Sequence, residues 1–395
     1  MKISKRAQAV PPSATMAVDA KAKELKAKGI DIVGFGVGEP DFDTPQYIKD
    51  AAIAAIKAGK TKYTATPGIP ELRKAIAEKL LKENNLKYTP EQIIVNIGAK
   101  HSVYESMQAV IDEGDEVILP APYWVTYPET IKLAGGVMKV IQTDISNSYK
   151  ITPGQLKKAI SKKTVMLLIN SPNNPGGFTY TPDELMAIAK VLEGTDIMVL
   201  SDEIYEKLVY SDTKFVSFAS LSEDAYKRTI IINGFSKTFA MTGWRLGYTA
   251  GPVEVIKAMD RLQSHMTQNP VSFVQAGALV AFSDPSNEVE KMRLEFENRG
   301  KYMAERLDAI KGVKCPKPTG AFYCFPDVSA HYGRTIGGAK IQNSMDFASA
   351  LLEQAGVALV PGGPFGCDKN VRLSFATSIE QITKGLDRIE KWLKN

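Results

Sequence analysis

Over residues 45 to 285 the apolar residues alternate between short continuous runs and stripes at helical spacing. The runs are rich in β-branched residues and predict strands at 92–97, 116–119, 165–169, 197–200, 229–232 and 248–250. Segments such as 72–81 and 101–111 lie between the runs and have the helical pattern. Strands that are apolar on both faces and alternate with helices are typical of a parallel sheet covered by helices.

The pattern changes after residue 285. One long amphipathic helix is predicted there, because its apolar residues fall at helical spacing: Val289, Met292, Phe296, Met303, Leu307 and Ile310. Strand-like runs at 321–325 and 371–375 and a helical segment at 379–393 follow it. A chain of 395 residues exceeds the size at which one core usually keeps growing. We therefore expect an N-terminal arm with part of a small domain (1–44), a large domain (45–285), and a small α+β domain that includes the linking helix (286–395).

Composition and charge narrow the class of protein. A content of 44% hydrophobic and 24% charged residues is ordinary for a soluble globular protein. The net charge of +5 is spread along the chain without a basic block, so nucleic acid is not an expected partner. No apolar run approaches the roughly 20 residues of a membrane span. The three cysteines are odd in number and lack metal-ligand spacing, which argues against a disulfide framework. With only three histidines, a histidine-based metal site is not expected either. We expect a soluble, cytoplasmic protein.

Polar and aromatic residues follow five of the predicted strands. They are Gly98-Ala99-Lys100, Pro122 to Trp124, Asn170 to Gly177, Asp202 with Tyr205, and Ser236-Lys237. Taken singly, each has an ordinary explanation, such as a surface lysine, a helix-capping aspartate, a core tryptophan or a turn. In open parallel sheets, however, ligands bind beyond the carboxyl ends of the strands. The joint occurrence therefore favours one binding crevice.

The chemistry that fits this set is carbanion stabilisation by pyridoxal 5'-phosphate (PLP). Such an enzyme needs a Schiff-base lysine, a partner for the pyridine nitrogen and a phosphate cradle. Lys237 supplies the amine, and Asp202 the charge that keeps the ring nitrogen protonated. Asn174 and Tyr205 are candidates for hydrogen bonds to the ring's phenolate oxygen. Gly98 precedes a predicted helix, and the backbone amides at its start, near Ala99 and Lys100, are predicted phosphate ligands. Ser236 and Arg245 are the other predicted phosphate ligands.

Sequence motifs along nearly the whole chain carry a family resemblance. They are PSATMAV, GEPDFDTP, KYTATPGIPELR, PYWVTYPE, NSPNNPGG, SDEIYE, SKTFAMTGWRLGY, TGAFYCF and VRLSFA. In these motifs the chain resembles class I aminotransferases of PLP fold type I, in particular the bacterial aspartate aminotransferase branch. The resemblance implies an α/β fold with a mostly parallel seven-stranded sheet, helices on both of its faces, and a smaller α+β domain.

The same resemblance implies roles for individual residues. Lys237 is the cofactor lysine and proton shuttle, Asp202 and Tyr205 act with it on the cofactor, and Trp124 stacks on the cofactor ring. Arg372 grips the substrate α-carboxylate, helped by Gly38 and Asn174. In that branch the residue matching Lys100 contacts a distal carboxylate, over which Ser13 and Thr15 close. The residue matching Tyr63 reaches the cofactor phosphate of a neighbouring subunit, which implies a homodimer with shared sites.

Two residues depart from the commonest pattern of that branch. Gly177 stands where threonine is frequent, and Phe235 where small residues also occur. Neither change removes a functional group. We expect Gly177 to bear on the loop that lines the pocket.

We expect a ping-pong transfer of the amino group between aspartate or glutamate and 2-oxoglutarate or oxaloacetate. Sibling activities stay open: a prephenate, aromatic or broad-specificity aminotransferase, or a β-lyase. A PLP-binding transcriptional regulator needs an added DNA-binding segment, for which the sequence before the first motif leaves no room. A nicotinamide dehydrogenase needs a G-x-G-x-x-G turn between a strand and its helix, and this pattern is absent from the sequence.

Overall fold

The computed structural model of the chain describes residues 2–12, 14–211 and 213–394. Its helices, in chain order, are α1 (Lys5–Gln8), α2 (Ala14–Ala27), α3 (Gln46–Lys57), α4 (Pro70–Asn84), α5 (Ala99–Val110), α6 (Thr126–Leu133), α7 (Pro153–Ala159), α8 (Pro182–Leu192), α9 (Glu223–Arg228), α10 (Val253–Met266), α11 (Ser272–Leu279), α12 (Glu288–Asp308), α13 (Ser344–Ala355) and α14 (Ile379–Lys394). Its strands are β1 (Val33–Gly34), β2 (Ile93–Asn96), β3 (Glu116–Pro120), β4 (Val137–Ile141), β5 (Thr164–Asn170), β6 (Met198–Asp202), β7 (Thr229–Gly234), β8 (Gly247–Ala250), β9 (Tyr323–Cys324), β10 (Thr335–Ile336), β11 (Ala339–Lys340), β12 (Val357–Ala358), β13 (Val360–Pro361) and β14 (Val371–Ser374).

The central sheet has the order β2-β8-β7-β6-β5-β3-β4, seven strands within the described ranges. Strands β3 to β7 pair in parallel, and β8 runs antiparallel to both of its neighbours, β2 and β7. This confirms the expected mostly parallel α/β sheet. Because β2 and β7 both pair antiparallel with β8, the carboxyl end of β2 lies at the same edge as those of β3, β5, β6 and β7.

Helices cover both faces of this sheet. Along β5, Leu167 packs in one apolar cluster with Leu185 of α8, while Leu168 packs in another with Val103 of α5. Successive side chains of a strand point to opposite faces, so a strand buried on both sides must be apolar throughout. This is why the continuous apolar runs predicted the strands correctly.

Strand β4 was not predicted. It lies at the edge of the sheet, where Val137 is 51% exposed and Lys139 interrupts the apolar residues. An edge strand has only one neighbour and does not need a continuous apolar run. The pattern that identified the central strands therefore does not occur here.

The C-terminal part forms a smaller α+β unit. Strands β13, β14 and β9 make an antiparallel sheet, and α12 packs against α14. Strand β1 pairs in parallel with β12, with Val33 opposite Val357, which joins residues before 45 to this unit. The pairing favours the predicted division at residues 44 and 286, and the boundaries themselves stay a prediction. In the described part of the chain, no helix is long and apolar enough to span a bilayer.

Candidate active site

A cavity of about 410 Å³ lies at the carboxyl ends of the central strands. Twelve of the residues singled out in the sequence line it: Thr15, Gly38, Ala99, Lys100, Trp124, Asn174, Asp202, Tyr205, Ser236, Lys237, Arg245 and Arg372. They come from α2, from the segment after β1, from five strand ends of the large sheet, and from β14 of the small one. The fold therefore brings residues more than 350 positions apart in sequence into one site.

Two other predicted residues do not line the cavity. Gly98 lies just behind it, at φ 78°, and a Cβ there would be 2.7 Å from the Arg245 Nη2 atom. The glycine therefore allows Arg245 to lie against the start of α5. Tyr63 is 83% exposed and lies outside the cavity of its own chain. Ser13 lies outside the described residues.

Asp202 ends β6 and is only 3% exposed. The Tyr127 hydroxyl donates a hydrogen bond of 2.6 Å to its Oδ2 atom, and the Ile204 N–H donates one of 3.2 Å to Oδ1. Burial raises the pKa of Asp202 to about 6, against the opposing effect of these two hydrogen bonds. A buried carboxylate with a raised pKa is under-compensated, so the site favours a cationic nitrogen beside it.

Lys237 lies in the turn after β7, and its Nζ atom donates a hydrogen bond of 2.5 Å to the Gly38 carbonyl oxygen. Burial lowers the pKa of Lys237 to about 8. Glu39 and Asp202 oppose that shift, whereas the charges of Arg372 and Arg245 add to it. A lysine with a substantial neutral fraction near neutral pH can act both as a nucleophile and as a base.

Arg372 lies on β14 and is 2% exposed. Its Nη1 atom donates to Asn174 Oδ1 at 3.0 Å and its Nη2 atom to the Gly36 carbonyl at 2.7 Å. Its Nε atom has no hydrogen-bond partner among the described residues. The guanidinium carbon lies 4.6 Å from the ring centroid of Tyr323. A buried guanidinium with a free donor is suited to bind a carboxylate.

The part of the cavity beside the start of α5 is cationic. Helix α5 begins there at Ala99, next to Lys100 and Arg245. The Lys100 Nζ atom lies 5.0 Å from the ring centroid of Trp124, and burial together with the Arg245 charge lowers the pKa of Lys100. A helix N-terminus beside two cations favours a group with two negative charges.

Sequence reasoning assigned no role to three residues that complete the site: Tyr127, Asn170 and Tyr323. The Asn170 side chain donates to the Asp202 carbonyl at 3.0 Å and accepts from the Asn174 N–H at 2.8 Å. The Tyr323 hydroxyl lies 3.0 Å from that of Tyr205. All three stand inside the motifs PYWVTYPE, NSPNNPGG and TGAFYCF. The motifs were therefore the signal, but the partners of these side chains come from distant strands.

The two departures from the branch pattern have structural reasons. Gly177 has φ 66°, and a Cβ there would overlap the Tyr323 carbonyl oxygen. Its own carbonyl accepts hydrogen bonds from the N–H groups of Thr319 and Gly320 at 2.8 and 3.0 Å. Gly177 thus supports the segment that carries Tyr323, and it is not among the residues lining the cavity. Phe235 is fully buried in an aromatic cluster with Tyr248 and Phe282, in the core of the large sheet.

The strand ends of an α/β sheet place a lysine of lowered pKa and a buried acid around one cavity, and the small sheet adds a buried arginine; this arrangement is typical of an enzyme. Residues 30–389 match the family described as aminotransferase class I and II, and the chain belongs to that family. An aspartate aminotransferase of Geobacillus stearothermophilus is 49% identical over 394 residues, which cover 100% of this chain and 99% of the relative. An aspartate/prephenate aminotransferase of Cereibacter sphaeroides is 48% identical over 96% of each chain. The solved aspartate aminotransferase of Thermus thermophilus with maleate is 43% identical, has a TM-score of 0.93 and is matched over 99% of each chain.

Proposed function

We propose that this chain is a PLP-dependent aminotransferase that moves the amino group between aspartate or glutamate and 2-oxoglutarate or oxaloacetate by a ping-pong mechanism. The observation that carries the proposal is a set of three charged side chains around one cavity: Asp202 and Arg372, which are buried, and Lys237, which is partly buried. The aspartate aminotransferases among the relatives support the choice of substrate.

The residues present fit PLP. Asp202 is a buried carboxylate in need of a cation, as a protonated pyridine nitrogen would be, and Tyr127 orients it. The cationic end of the cavity, with Ala99, Ser236 and Arg245, suits the phosphate. Asn174, Tyr205 and Trp124 line the same cavity, and we infer that Asn174 and Tyr205 bind the phenolate oxygen and that Trp124 stacks on the ring. When bound, PLP supplies an aldehyde for the amino group and an electron sink for the electrons of the substrate Cα–H bond.

The chain's own residues then divide the work. Arg372 binds the substrate α-carboxylate through its guanidinium, with Asn174 and Gly38 beside it. This would hold the amino acid in the cavity that Lys237 also lines. The Lys237 amine, when it is not attached to the cofactor, would remove the Cα proton, because its lowered pKa gives it a neutral fraction that can accept a proton.

Attachment of PLP to Lys237 should follow the neutral fraction of the amine. With the pKa at about 8, the rate of covalent attachment should rise with pH up to about 8 and then level off. An exposed lysine would keep gaining neutral amine up to its ordinary value of 10.5. The measurement is the rate of the absorbance change on mixing the PLP-free protein with PLP from pH 6.5 to 10. A rate that still climbs steeply at pH 10 contradicts the assignment.

Lys100 is the candidate for the distal carboxylate of a dicarboxylic substrate, and Thr15 lines the same cavity. An unpaired buried carboxylate is costly, and a hydrogen bond to a charged group contributes roughly 1.5–3 kcal/mol. Lys100→Ala should therefore lower kcat/KM for aspartate and glutamate by about one to two orders of magnitude. Alanine and phenylalanine should be nearly unaffected. An equal loss for acidic and neutral substrates would refute the specificity and leave the PLP assignment intact.

Prephenate is the second candidate substrate. It carries a carboxylate on its ring, and Lys100 lies against the aromatic face of Trp124, which supports such a ligand. The relative from Cereibacter sphaeroides is an aspartate/prephenate aminotransferase. Assays with paired amino and oxo acids, prephenate included, separate the two substrates.

We also propose a homodimer with shared sites. Tyr63 is exposed, and the large apolar side chains Ile53, Ile56 and Val271 are also exposed on α3 and before α11. Light scattering should give a mass twice the 43.1 kDa of the chain. A monomer that is fully active would contradict the sharing of sites. The three cysteines are free, buried thiols, which supports a reducing cytoplasmic location.

A further inference from the structure

Beneath the phosphate end of the cavity lies a buried polar cluster that the reaction itself does not use. It consists of Asn96, Ser102, Glu105, Thr249 and Gln263, each 0% exposed. We call these five residues the Asn96 network. They come from β2, α5, β8 and α10, and none of them lines the cavity.

Asn96 is the centre of this network. Its Nδ2 atom donates to Glu105 Oε2 at 2.7 Å and to Gln263 Oε1 at 2.8 Å. Its Oδ1 atom accepts from Ser102 Oγ at 2.8 Å and from Thr249 Oγ1 at 3.0 Å. A carboxamide has two donors and two acceptor lone pairs. The Asn96 side chain therefore uses its full hydrogen-bonding capacity, and each bond leads to a different residue of the elements around it.

The network lies directly behind the predicted phosphate ligands. Gly98, Ala99 and Lys100 follow Asn96 within four residues, and the Gly98 N–H donates to the Asn96 carbonyl at 2.8 Å. Ser102 and Glu105 lie in the first two turns of α5, and their hydrogen bonds to Asn96 connect these turns to the end of β2. On the other side, β8 approaches so closely that a Cβ at Gly247 would lie 2.5 Å from the Ala99 nitrogen. The Ala99 amide therefore has a constraint on each side: the turn that Gly98 closes onto Asn96, and the close approach of β8 at Gly247.

A second link leads to the segment that carries Tyr63. Gln263, held by Asn96 through its Oε1 atom, donates from Nε2 to the Thr66 carbonyl at 2.7 Å and to the Val95 carbonyl at 3.1 Å. Thr66 is three residues from Tyr63. The buried Gln263 carboxamide therefore connects Asn96, which lies next to the predicted phosphate ligands, to the segment proposed to reach the neighbouring subunit.

We propose that Asn96 is a positioning residue for the cofactor phosphate: by saturating one carboxamide with bonds to β8, α5 and α10, it holds the Ala99 and Lys100 turn in its binding position. A buried carboxamide with all its hydrogen bonds made fixes one geometry, whereas one that lacks some of them loses it. This inference rests on the proposed binding of PLP at this cavity. It assigns no contact between Asn96 and the cofactor.

The test compares PLP with pyridoxal, which has the same aldehyde and ring but no phosphate. Asn96→Asp keeps the shape but replaces two donors with a carboxylate oxygen facing Glu105 and Gln263. The dissociation constant of the Asn96→Asp variant for PLP should rise by about tenfold or more. Its dissociation constant for pyridoxal should stay near the wild-type value. Glu105→Gln alone can still accept from Asn96 and should behave almost as wild type.

The double variant Asn96→Asp with Glu105→Gln restores a donor facing an acceptor, so part of the lost PLP affinity should return. Tyr180→Phe is the matched control. It removes another buried hydrogen bond, from the Ile151 N–H at 3.0 Å, far along the sequence from the network, and should lower the melting temperature without changing the PLP affinity. If Asn96→Asp does not fold, Thr249→Val removes one donor to the same Oδ1 atom and takes its place.

Unchanged PLP affinity in the folded variant overturns the proposal, as does an equal loss for PLP and pyridoxal, since either result means that the network does not act through the phosphate. A wild-type protein that fails to bind PLP instead overturns the proposed function. The two failures are therefore distinguishable in one set of binding curves.

Discussion

Lys237→Ala should lower turnover by about a thousandfold or more. One side chain is expected both to hold the cofactor covalently and to move the Cα proton. The environment of the amine supports both roles: burial keeps its pKa at about 8, and Asp202, Arg245 and Arg372 surround it in the same cavity. The measurement is the rate of amino transfer from aspartate to 2-oxoglutarate at saturating PLP.

A chemical label supplies the control for this variant. Borohydride reduction should attach the cofactor permanently to the wild-type chain and to Lys100→Ala, which also changes a lysine of the cavity. It should leave Lys237→Ala unlabelled, although PLP can still bind through the phosphate ligands. Label recovered on the Lys237→Ala chain would assign the covalent role to another amine.

Asp202→Asn should lower turnover by about two to three orders of magnitude, because a cation left buried without its partner costs roughly 3–5 kcal/mol. The change preserves the shape of the side chain and removes only its charge. Substrate affinity should change much less, since the amino acid is bound mainly through Arg372. Separate values of kcat and KM for aspartate test this. Near-normal kcat would mean that Asp202 only caps the turn at Ile204, to which it is hydrogen-bonded.

In the PLP-free protein, Asp202→Asn should gain stability relative to the wild-type protein as the pH rises. The folded-state pKa of Asp202 is about 6, above its ordinary 3.8. Its contribution to stability is therefore fully present below pH 3.8 and is lost as the pH rises through 6. Asparagine stays neutral and loses nothing. The free energy of unfolding of Asp202→Asn, relative to wild type, should rise by roughly 2 kcal/mol between pH 4 and pH 7.

Urea titrations at a series of pH values measure that difference. The hydrogen bond that asparagine gives up, to Tyr127 or to the Ile204 N–H, is lost at every pH and does not affect the slope. Glu203, whose pKa burial raises to about 8, titrates in both proteins and cancels in the comparison. A flat difference between pH 4 and pH 7 would show that Asp202 is not destabilised by burial. If the buried Asp202 charge serves function at a cost in stability, Asp202→Asn should lose activity and gain stability.

The sequence alone was sufficient for the elements and residues whose position depends on the local pattern. Central strands such as β5 must be apolar on both faces, so their runs are visible without a structure. The carboxyl ends of parallel strands share one edge, so Asp202 at the end of β6 and Lys237 after β7 had to lie close together. The family resemblance of the motifs added the proposed roles of Arg372 and Lys100, which the spacing of residues could not supply.

Tertiary structure decided whatever depends on contacts between distant segments. The edge strand β4 has no pattern of its own, because only its pairing with β3 makes it a strand. Tyr127 meets Asp202 across 75 residues and Tyr323 meets Tyr205 across 118, separations at which the sequence does not specify partners. The Asn96 network is of the same kind: each residue alone reads as an ordinary helix or strand position. Its function follows only from four hydrogen bonds that close when β2, β8, α5 and α10 pack together.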